Sequence, residues 1–133
     1  SKIGIEVDDS IRVILMETEL EHPFVQTELM MPILPLVRAK DVDTAIDMAV
    51  DVEHGNRHTA MMHSKNVDKL TRMAKLIQTT IFVKNGPSYA GIGVGGEGYT
   101  TFTIAGPTGE GLTSAKSFTR KRRCTLVGGF HIK

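Results

Sequence analysis

The spacing of hydrophobic residues predicts two amphipathic helices in the middle of the chain. Apolar positions recur three and four residues apart over 41–54 and 65–77, which is the spacing of one helix face. Asp41 stands at the start of the first segment, and Asn66 or Ser64 stands at the start of the second. These residue types favour helix N-termini because their side-chain oxygens accept hydrogen bonds from free backbone N–H groups.

Shorter apolar segments beside the helices predict strands, and the one at 79–83 is rich in β-branched and aromatic residues. They comprise residues 11–16, 58–62, 79–83 and 123–127. Pro32 and Pro35 bracket a turn or edge segment before residues 36–38. Strands that alternate with helices pair in parallel through crossover connections. The predicted fold class is therefore α/β, with one mainly parallel sheet and crossover helices.

A glycine-rich segment, residues 85–111, follows the predicted strand at 79–83. Within it only residues 99–104 look regular, as one further strand. A loop of this length in a compact domain is either functional or disordered. Its aromatic and β-branched residues favour a shaped binding surface.

Two nucleotide-binding motifs match this segment only in part. Residues 91–96 fit the dinucleotide pattern G-x-G-x-x-G, but the residues after Gly96 form a poor helix, and the motif needs a helix N-terminus for the pyrophosphate. Residues 106–111 have the outer glycine spacing of a P-loop, but Leu112 and Thr113 stand where its lysine should be. We interpret the first match as accidental and reject the P-loop.

Composition excludes several classes of protein. The 133 residues suffice for one compact domain, 41% are hydrophobic and 23% are charged. The net charge of +1 gives no global field to recruit nucleic acid or an acidic membrane, and no apolar run approaches the length of a membrane span. The single cysteine, Cys124, cannot form an internal disulfide, so nothing indicates an oxidising compartment.

Three features carry both a structural and a functional interpretation. His54 and His58 are four residues apart, but Gly55 and Asn56 between them favour a turn or cap over a metal site. The basic run at 120–123 is either a solvated loop, an edge strand blunted by charge, or a phosphate contact. Alternation within the predicted last strand makes Cys124 a small buried residue, not a nucleophile.

The sequence resembles the aldehyde dehydrogenase family, first at the run Thr27-Glu28-Leu29-Met30-Met31-Pro32. Three longer runs resemble its CoA-acylating branch, which includes the propionaldehyde and acetaldehyde dehydrogenases of bacterial microcompartments. These runs are Glu53-His54-Gly55-Asn56-Arg57-His58-Thr59-Ala60, Lys84-Asn85-Gly86-Pro87-Ser88-Tyr89-Ala90-Gly91 and Ala105-Gly106-Pro107-Thr108-Gly109-Glu110-Gly111. The resemblance extends from about residue 3 to residue 127.

The resemblance implies an oxidoreductase that converts a short-chain aldehyde, CoA and NAD to acyl-CoA and NADH through a cysteine thioester. It implies that the nucleophilic cysteine lies upstream of Ser1, so that this chain holds no catalytic residue and is inactive alone. In this family the residue at Glu28 binds the ribose on the nicotinamide side, and we expect Met30 beside it. The expected substrate pocket consists of Asn85, Ser88, Tyr89, Ile104, Pro107 and Thr108. No metal is expected.

The same resemblance predicts the organisation of the chain. Residues 1–119 correspond to the C-terminal part of the catalytic domain, and residues 120–133 to an oligomerisation strand and tail through which the parent protein forms a homo-oligomer. The expected location is the cytoplasm, including the interior of a bacterial microcompartment. Two alternatives remain at this point: a non-catalytic nucleotide-binding module, or an oligomerisation module.

Overall fold

The computed structural model describes residues 8–99, 101, 104–105 and 111–128. The chain divides into two compact units. The first comprises residues 1–56 and 64–78, and the second comprises residues 57–63 and 79–133.

The first unit opens with two parallel strands joined by a short helix. Strand β1 (Ile14–Glu17) pairs with β2 (Ile33–Leu36), with Ile14 opposite Ile33 and Glu17 opposite Leu36. Helix α1 (Pro23–Gln26) lies in the connection between them. Its N-terminus is formed by His22, whose Nδ1 accepts a hydrogen bond from the Phe24 N–H at 3.1 Å.

Two helices with side-chain caps complete the first unit. Helix α2 (Val42–Val52) begins after Asp41, whose carboxylate accepts from the Thr44 N–H at 2.8 Å. Helix α3 (Val67–Ile77) begins after Asn66, whose side chain accepts from the Lys69 N–H at 3.1 Å. Their apolar residues form the core of the unit. The buried residues are Ile46, Leu70, Met73 and Ile77.

Charged side chains link α2 to α3 beside that core. Lys69 Nζ donates to both carboxylate oxygens of Asp43 at 2.7 and 2.6 Å. One helical turn further along each helix, Arg72 donates to Asp47 at 2.6 Å. Both ion pairs connect the facing sides of α2 and α3. Because their side chains are partly exposed, they contribute little to the free energy of unfolding.

The second unit contains a parallel pair with a buried face. Strand β3 (Thr59–Met62) pairs with β4 (Ile81–Lys84), so that Thr59 lies opposite Ile81 and Met62 opposite Lys84. Alternate residues of both strands are buried, as period-two geometry requires. They are Ala60, Met62, Ile81 and Val83.

After β4 the chain forms a 3₁₀ helix (Ser88–Ile92), then a short antiparallel pair, β5 (Ile104–Ala105) with β6 (Gly111–Leu112). A second 3₁₀ helix (Ala115–Phe118) follows. Residues 120–126 have no regular secondary structure.

The structure confirms the α/β class, the parallel pairing and both helices. The strands of the described residues form three two-stranded sheets, however, not one sheet. Strand β2 also runs through Pro35, which a two-stranded sheet tolerates because each strand has an edge without backbone partners. None of the helices in the described part of the chain combines the length and the apolar character needed to cross a membrane.

The predicted strand at 123–127 is wrong for this structure. A strand needs a hydrogen-bonding neighbour, and this segment has none among the described residues. As a result Cys124 is exposed, so the prediction of a buried thiol is also wrong.

Candidate active site

An apolar cavity of about 170 Å³ lies in the second unit, at the amino ends of β3 and β4. Ile81, the first residue of β4, forms part of its wall together with Ile92. Ser88 and Tyr89, both predicted for the substrate pocket, also line it. The remaining lining residues are His58, Thr59 and Thr101.

The 3₁₀ helix brings Ser88 and Tyr89 to that end of the strands. Strand β4 ends at Lys84, and the Asn85 N–H still donates to the Met62 carbonyl oxygen at 3.0 Å. Asn85 has a positive φ of 56°, a conformation that asparagine adopts more readily than most residues. The chain turns there, and the 3₁₀ helix then packs against both strands.

Gly91 makes this packing possible. A Cβ atom at Gly91 would overlap with Cγ2 of Ile81 and would lie 3.5 Å from Cγ2 of Val83. The 3₁₀ helix ends at Gly93, which adopts the left-handed conformation with φ 98°. The glycines of the G-x-G-x-x-G pattern therefore serve close packing and chain reversal, and no helix follows them in residues 97–99, as the sequence predicted.

His58 and Thr59 are two of the polar residues that line the cavity, beside Ser88, Tyr89 and Thr101. His58 Nδ1 lies 2.7 Å from Thr59 Oγ1, a hydrogen-bond distance. The cavity therefore combines an apolar wall with the imidazole of His58, which forms a hydrogen bond with the Thr59 hydroxyl group.

The structure separates the predicted pocket residues. Ser88 and Tyr89 share the cavity, whereas Asn85 lies at the opposite, carboxyl end of β4. A segment that follows a parallel strand ordinarily lies at the carboxyl end of the sheet, where open α/β sheets bind ligands, but here the 3₁₀ helix carries Ser88 and Tyr89 back to the amino end. Ile104 belongs to β5, and Pro107 and Thr108 lie outside the described residues.

The predicted cofactor residues lie in the first unit. Glu28 and Met30 follow α1 in a segment without regular structure, and both are exposed, Met30 to 91%. In the described part of the chain Glu28 has no hydrogen-bond or ion-pair partner. Its carboxylate is therefore available to accept hydrogen bonds from a ligand.

The sequence profile of the aldehyde dehydrogenase family matches residues 12–117. The chain belongs to that family. Its match covers the predicted helices, the cavity and the segment with Glu28, so the resemblance seen in the motif runs is confirmed.

One curated relative in this family is the acetaldehyde dehydrogenase (acetylating) EutE of Salmonella typhimurium. It is 56% identical over 130 residues, which are 98% of this chain and 28% of that protein. The chain therefore spans little more than a quarter of the relative's length.

Solved structures of the aldehyde dehydrogenase family agree with the fold. A propionaldehyde dehydrogenase from Rhodopseudomonas palustris, with bound CoA and an acylated cysteine, has a TM-score of 0.85 and 76% identity; the match covers 94% of this chain and 28% of that one. The corresponding values are 0.84, 62%, 94% and 29% for a propionaldehyde dehydrogenase from the fucose utilisation microcompartment of Clostridium phytofermentans.

The histidines and acidic residues that could bind a metal were the remaining question from the sequence. His54 has a positive φ of 54° and lies in the turn after α2, which confirms the turn interpretation over a helical pair with His58. Among the described residues no group of three or more potential metal ligands is present.

Helix α1, the position of the cavity and the ion pairs between α2 and α3 were not predicted from the sequence. The dipeptide His22-Pro23 signals α1, since proline is favoured in the first turn of a helix. No local sequence signal marks the cavity, because its position depends on the packing of Gly91 against the side chain of Ile81.

Proposed function

We propose that this chain forms the C-terminal part of the catalytic domain of a CoA-acylating aldehyde dehydrogenase. The reaction oxidises a short-chain aldehyde and delivers its acyl group to CoA, through a thioester to a cysteine upstream of this chain. The observation that carries the proposal is the 56% identity, over 98% of the chain, to a relative named acetaldehyde dehydrogenase (acetylating). CoA and an acylated cysteine in a 76% identical structure support it.

We assign aldehyde binding to the cavity that Ser88 and Tyr89 line. The apolar side chains of Ile81 and Ile92 in its wall can contact a short alkyl chain. Burying one more methylene group contributes only about 0.8 kcal/mol to binding. Selectivity among short aldehydes should therefore be modest. Ile104, Pro107 and Thr108 remain proposed contacts of the aldehyde entrance, whereas Asn85, at the opposite end of β4, does not border this cavity.

Glu28 and Met30 are the proposed contacts to the nicotinamide half of NAD. An exposed carboxylate with no partner among the described residues fits this role, because ribose hydroxyl groups donate charge-assisted hydrogen bonds to it. NAD accepts the hydride and CoA accepts the acyl group when they are bound. Glu28 contributes orientation, and the exposed Met30 contributes apolar contact area.

Residues 120–133 are the proposed oligomerisation segment after the catalytic part at 1–119. The exposed side chains of Leu126 and Val127 support this role, since apolar groups at a chain end gain from burial in an assembly. The proposed location is the cytoplasm, within a bacterial microcompartment, as for the Clostridium phytofermentans relative named above.

Turnover of the full-length protein tests the proposed reaction. We expect NADH and acyl-CoA from acetaldehyde or propionaldehyde only when NAD and CoA are both present. Residues 1–133 expressed alone should give neither product. Aldehyde-dependent NADH formation without any acyl-CoA, measured by mass spectrometry, would contradict the CoA-acylating assignment.

Substitution of Tyr89 tests the cavity. Tyr89→Ala removes an apolar wall and should raise the KM of propionaldehyde several-fold more than that of acetaldehyde, because the longer chain loses more contact. Tyr89→Phe keeps the ring and serves as the matched control, with both KM values within about threefold. If Tyr89→Ala and the unsubstituted enzyme have equal KM values for both aldehydes, Tyr89 does not contact the substrate.

A further inference from the structure

Ile81, Tyr89 and Ile92 supply the apolar part of the aldehyde cavity among the residues that the structure describes. Ile81 is 6% exposed and belongs to the core of the second unit. Its Cγ2 leaves no room for a Cβ atom at Gly91, so the side chain of Ile81 cannot move aside for a longer ligand. Tyr89 is 60% exposed, whereas Ile92 is half-buried. Ile92 is therefore an aliphatic wall residue that lies outside the buried core.

Backbone contacts hold Ile92 in place at the end of the 3₁₀ helix. The Gly93 N–H, directly after Ile92, donates to the Ala90 carbonyl oxygen at 3.2 Å. The chain then folds back on the helix so closely that a Cβ atom at Gly98 would overlap with the Gly91 carbonyl oxygen. Because these contacts involve the residues on both sides of Ile92, the position from which its side chain enters the cavity wall is fixed.

The orientation of the aldehyde follows from the proposed function, on which this inference rests. The nucleophilic cysteine of that reaction lies upstream of Ser1, so the aldehyde carbonyl carbon must face the part of the site that this chain does not supply. The alkyl end then lies against the residues of this chain. The cavity, about 170 Å³, is similar in size to an apolar cavity of about 150 Å³ that holds benzene in another protein. It therefore accommodates an alkyl chain of about five or six carbon atoms.

We propose that Ile92 determines the longest aldehyde that this site accepts. Because the core fixes Ile81, the side chain of Ile92 limits the space that is left for the end of the alkyl chain. Ile92→Ala removes three carbon atoms from the wall and makes room for about two more methylene groups. Ile92→Phe fills part of the cavity and shortens the chain that fits.

The length dependence of turnover in the full-length protein tests this role. The measurement is kcat/KM for straight-chain aldehydes from acetaldehyde to octanal. For the unsubstituted enzyme, kcat/KM should rise by about fourfold per methylene group while the chain fits, and fall by about tenfold beyond that length. Ile92→Ala should move the fall to aldehydes about two carbon atoms longer, and Ile92→Phe should move it to shorter aldehydes.

Val94→Ala is the matched control. Val94 is 61% exposed and follows the 3₁₀ helix without lining the cavity, so its substitution should leave the length dependence unchanged. Thermal unfolding checks that each variant is folded. If Ile92→Ala is too unstable to assay, Ile92→Val removes a single carbon atom from the wall and should move the fall by about one carbon atom.

Two outcomes would overturn the role of Ile92. One is that folded Ile92 variants keep the length dependence of the unsubstituted enzyme. The other is that folded Ile92→Ala loses turnover with every aldehyde, because a residue that sets only the length limit leaves the shorter aldehydes reactive. If the unsubstituted enzyme forms no acyl-CoA from any aldehyde, the proposed reaction is wrong instead. The length dependence of aldehyde-dependent NADH formation then still decides the role of Ile92.

Discussion

Gly91 lies against the side chain of Ile81 so closely that a methyl group at position 91 would overlap with Ile81 Cγ2. This contact holds the 3₁₀ helix Ser88–Ile92 on the sheet formed by β3 and β4. It therefore places Tyr89 and Ile92 at the cavity, and the geometry of the proposed aldehyde site depends on it.

Replacing Gly91 with alanine should destabilise the full-length protein by about 1–3 kcal/mol, because overpacking forces shifts of the neighbouring backbone and side chains. Denaturant unfolding measures the change. In an Ile81→Ala background, which lacks Cγ2, the same substitution should cost clearly less. Equal costs in both backgrounds would show that the two residues do not press on each other.

Replacing Glu28 with glutamine should slow hydride transfer and leave thermal stability unchanged. The substitution keeps the shape of the side chain and removes the charge that would orient the ribose, whereas the exposed carboxylate has no structural partner among the described residues to lose. Single-turnover NADH formation is the measurement. Glu21→Gln, at another exposed glutamate, is the control, and equal rates for the two variants would argue against the cofactor role.

The pKa of Glu17 should depend on Arg38. The guanidinium donates to both carboxylate oxygens of Glu17, at 2.6 and 2.8 Å, and these hydrogen bonds lower the pKa of Glu17 below its ordinary value. Any stability from this pair is therefore present above the ordinary carboxyl pKa and is lost as pH falls through the lowered value. Both groups are exposed, so the effect on unfolding should be small.

Arg38→Gln should therefore raise the pKa of Glu17 toward the ordinary value, as followed by NMR titration. Asp41 is an internal control, because its pKa is lowered chiefly by the backbone hydrogen bond from Thr44. A pKa of Glu17 that stays low without Arg38 would assign the shift to another cause.

Cys124→Ser should leave turnover within a few-fold of the unsubstituted enzyme. The thiol is exposed and belongs to a segment without regular structure, so serine neither opens a cavity nor buries a new polar group. Steady-state acyl-CoA formation tests this, with circular dichroism as the check on folding. A loss of several orders of magnitude with an intact fold would make Cys124 the nucleophile.

The sequence alone determined the helices, because their signals are local. Asp41 and Asn66 each cap a helix by accepting a hydrogen bond from the backbone N–H three residues further on, and apolar spacing defines the buried helix faces that contain Ile46 and Leu70. The motif runs likewise identified the family, since they are read directly from consecutive residues.

Only the tertiary structure decided where the cavity lies and which conformation residues 120–126 adopt. Ser88 and Tyr89 follow β4 in the sequence, yet they line a cavity at the amino end of that strand. They do so because Gly91 packs against the side chain of Ile81, the first residue of β4. Cys124 lies in a strand-like sequence, yet it is exposed because a strand forms only where another backbone supplies hydrogen bonds. Local pattern fixes what a segment can become, and contacts between distant residues select what it does become.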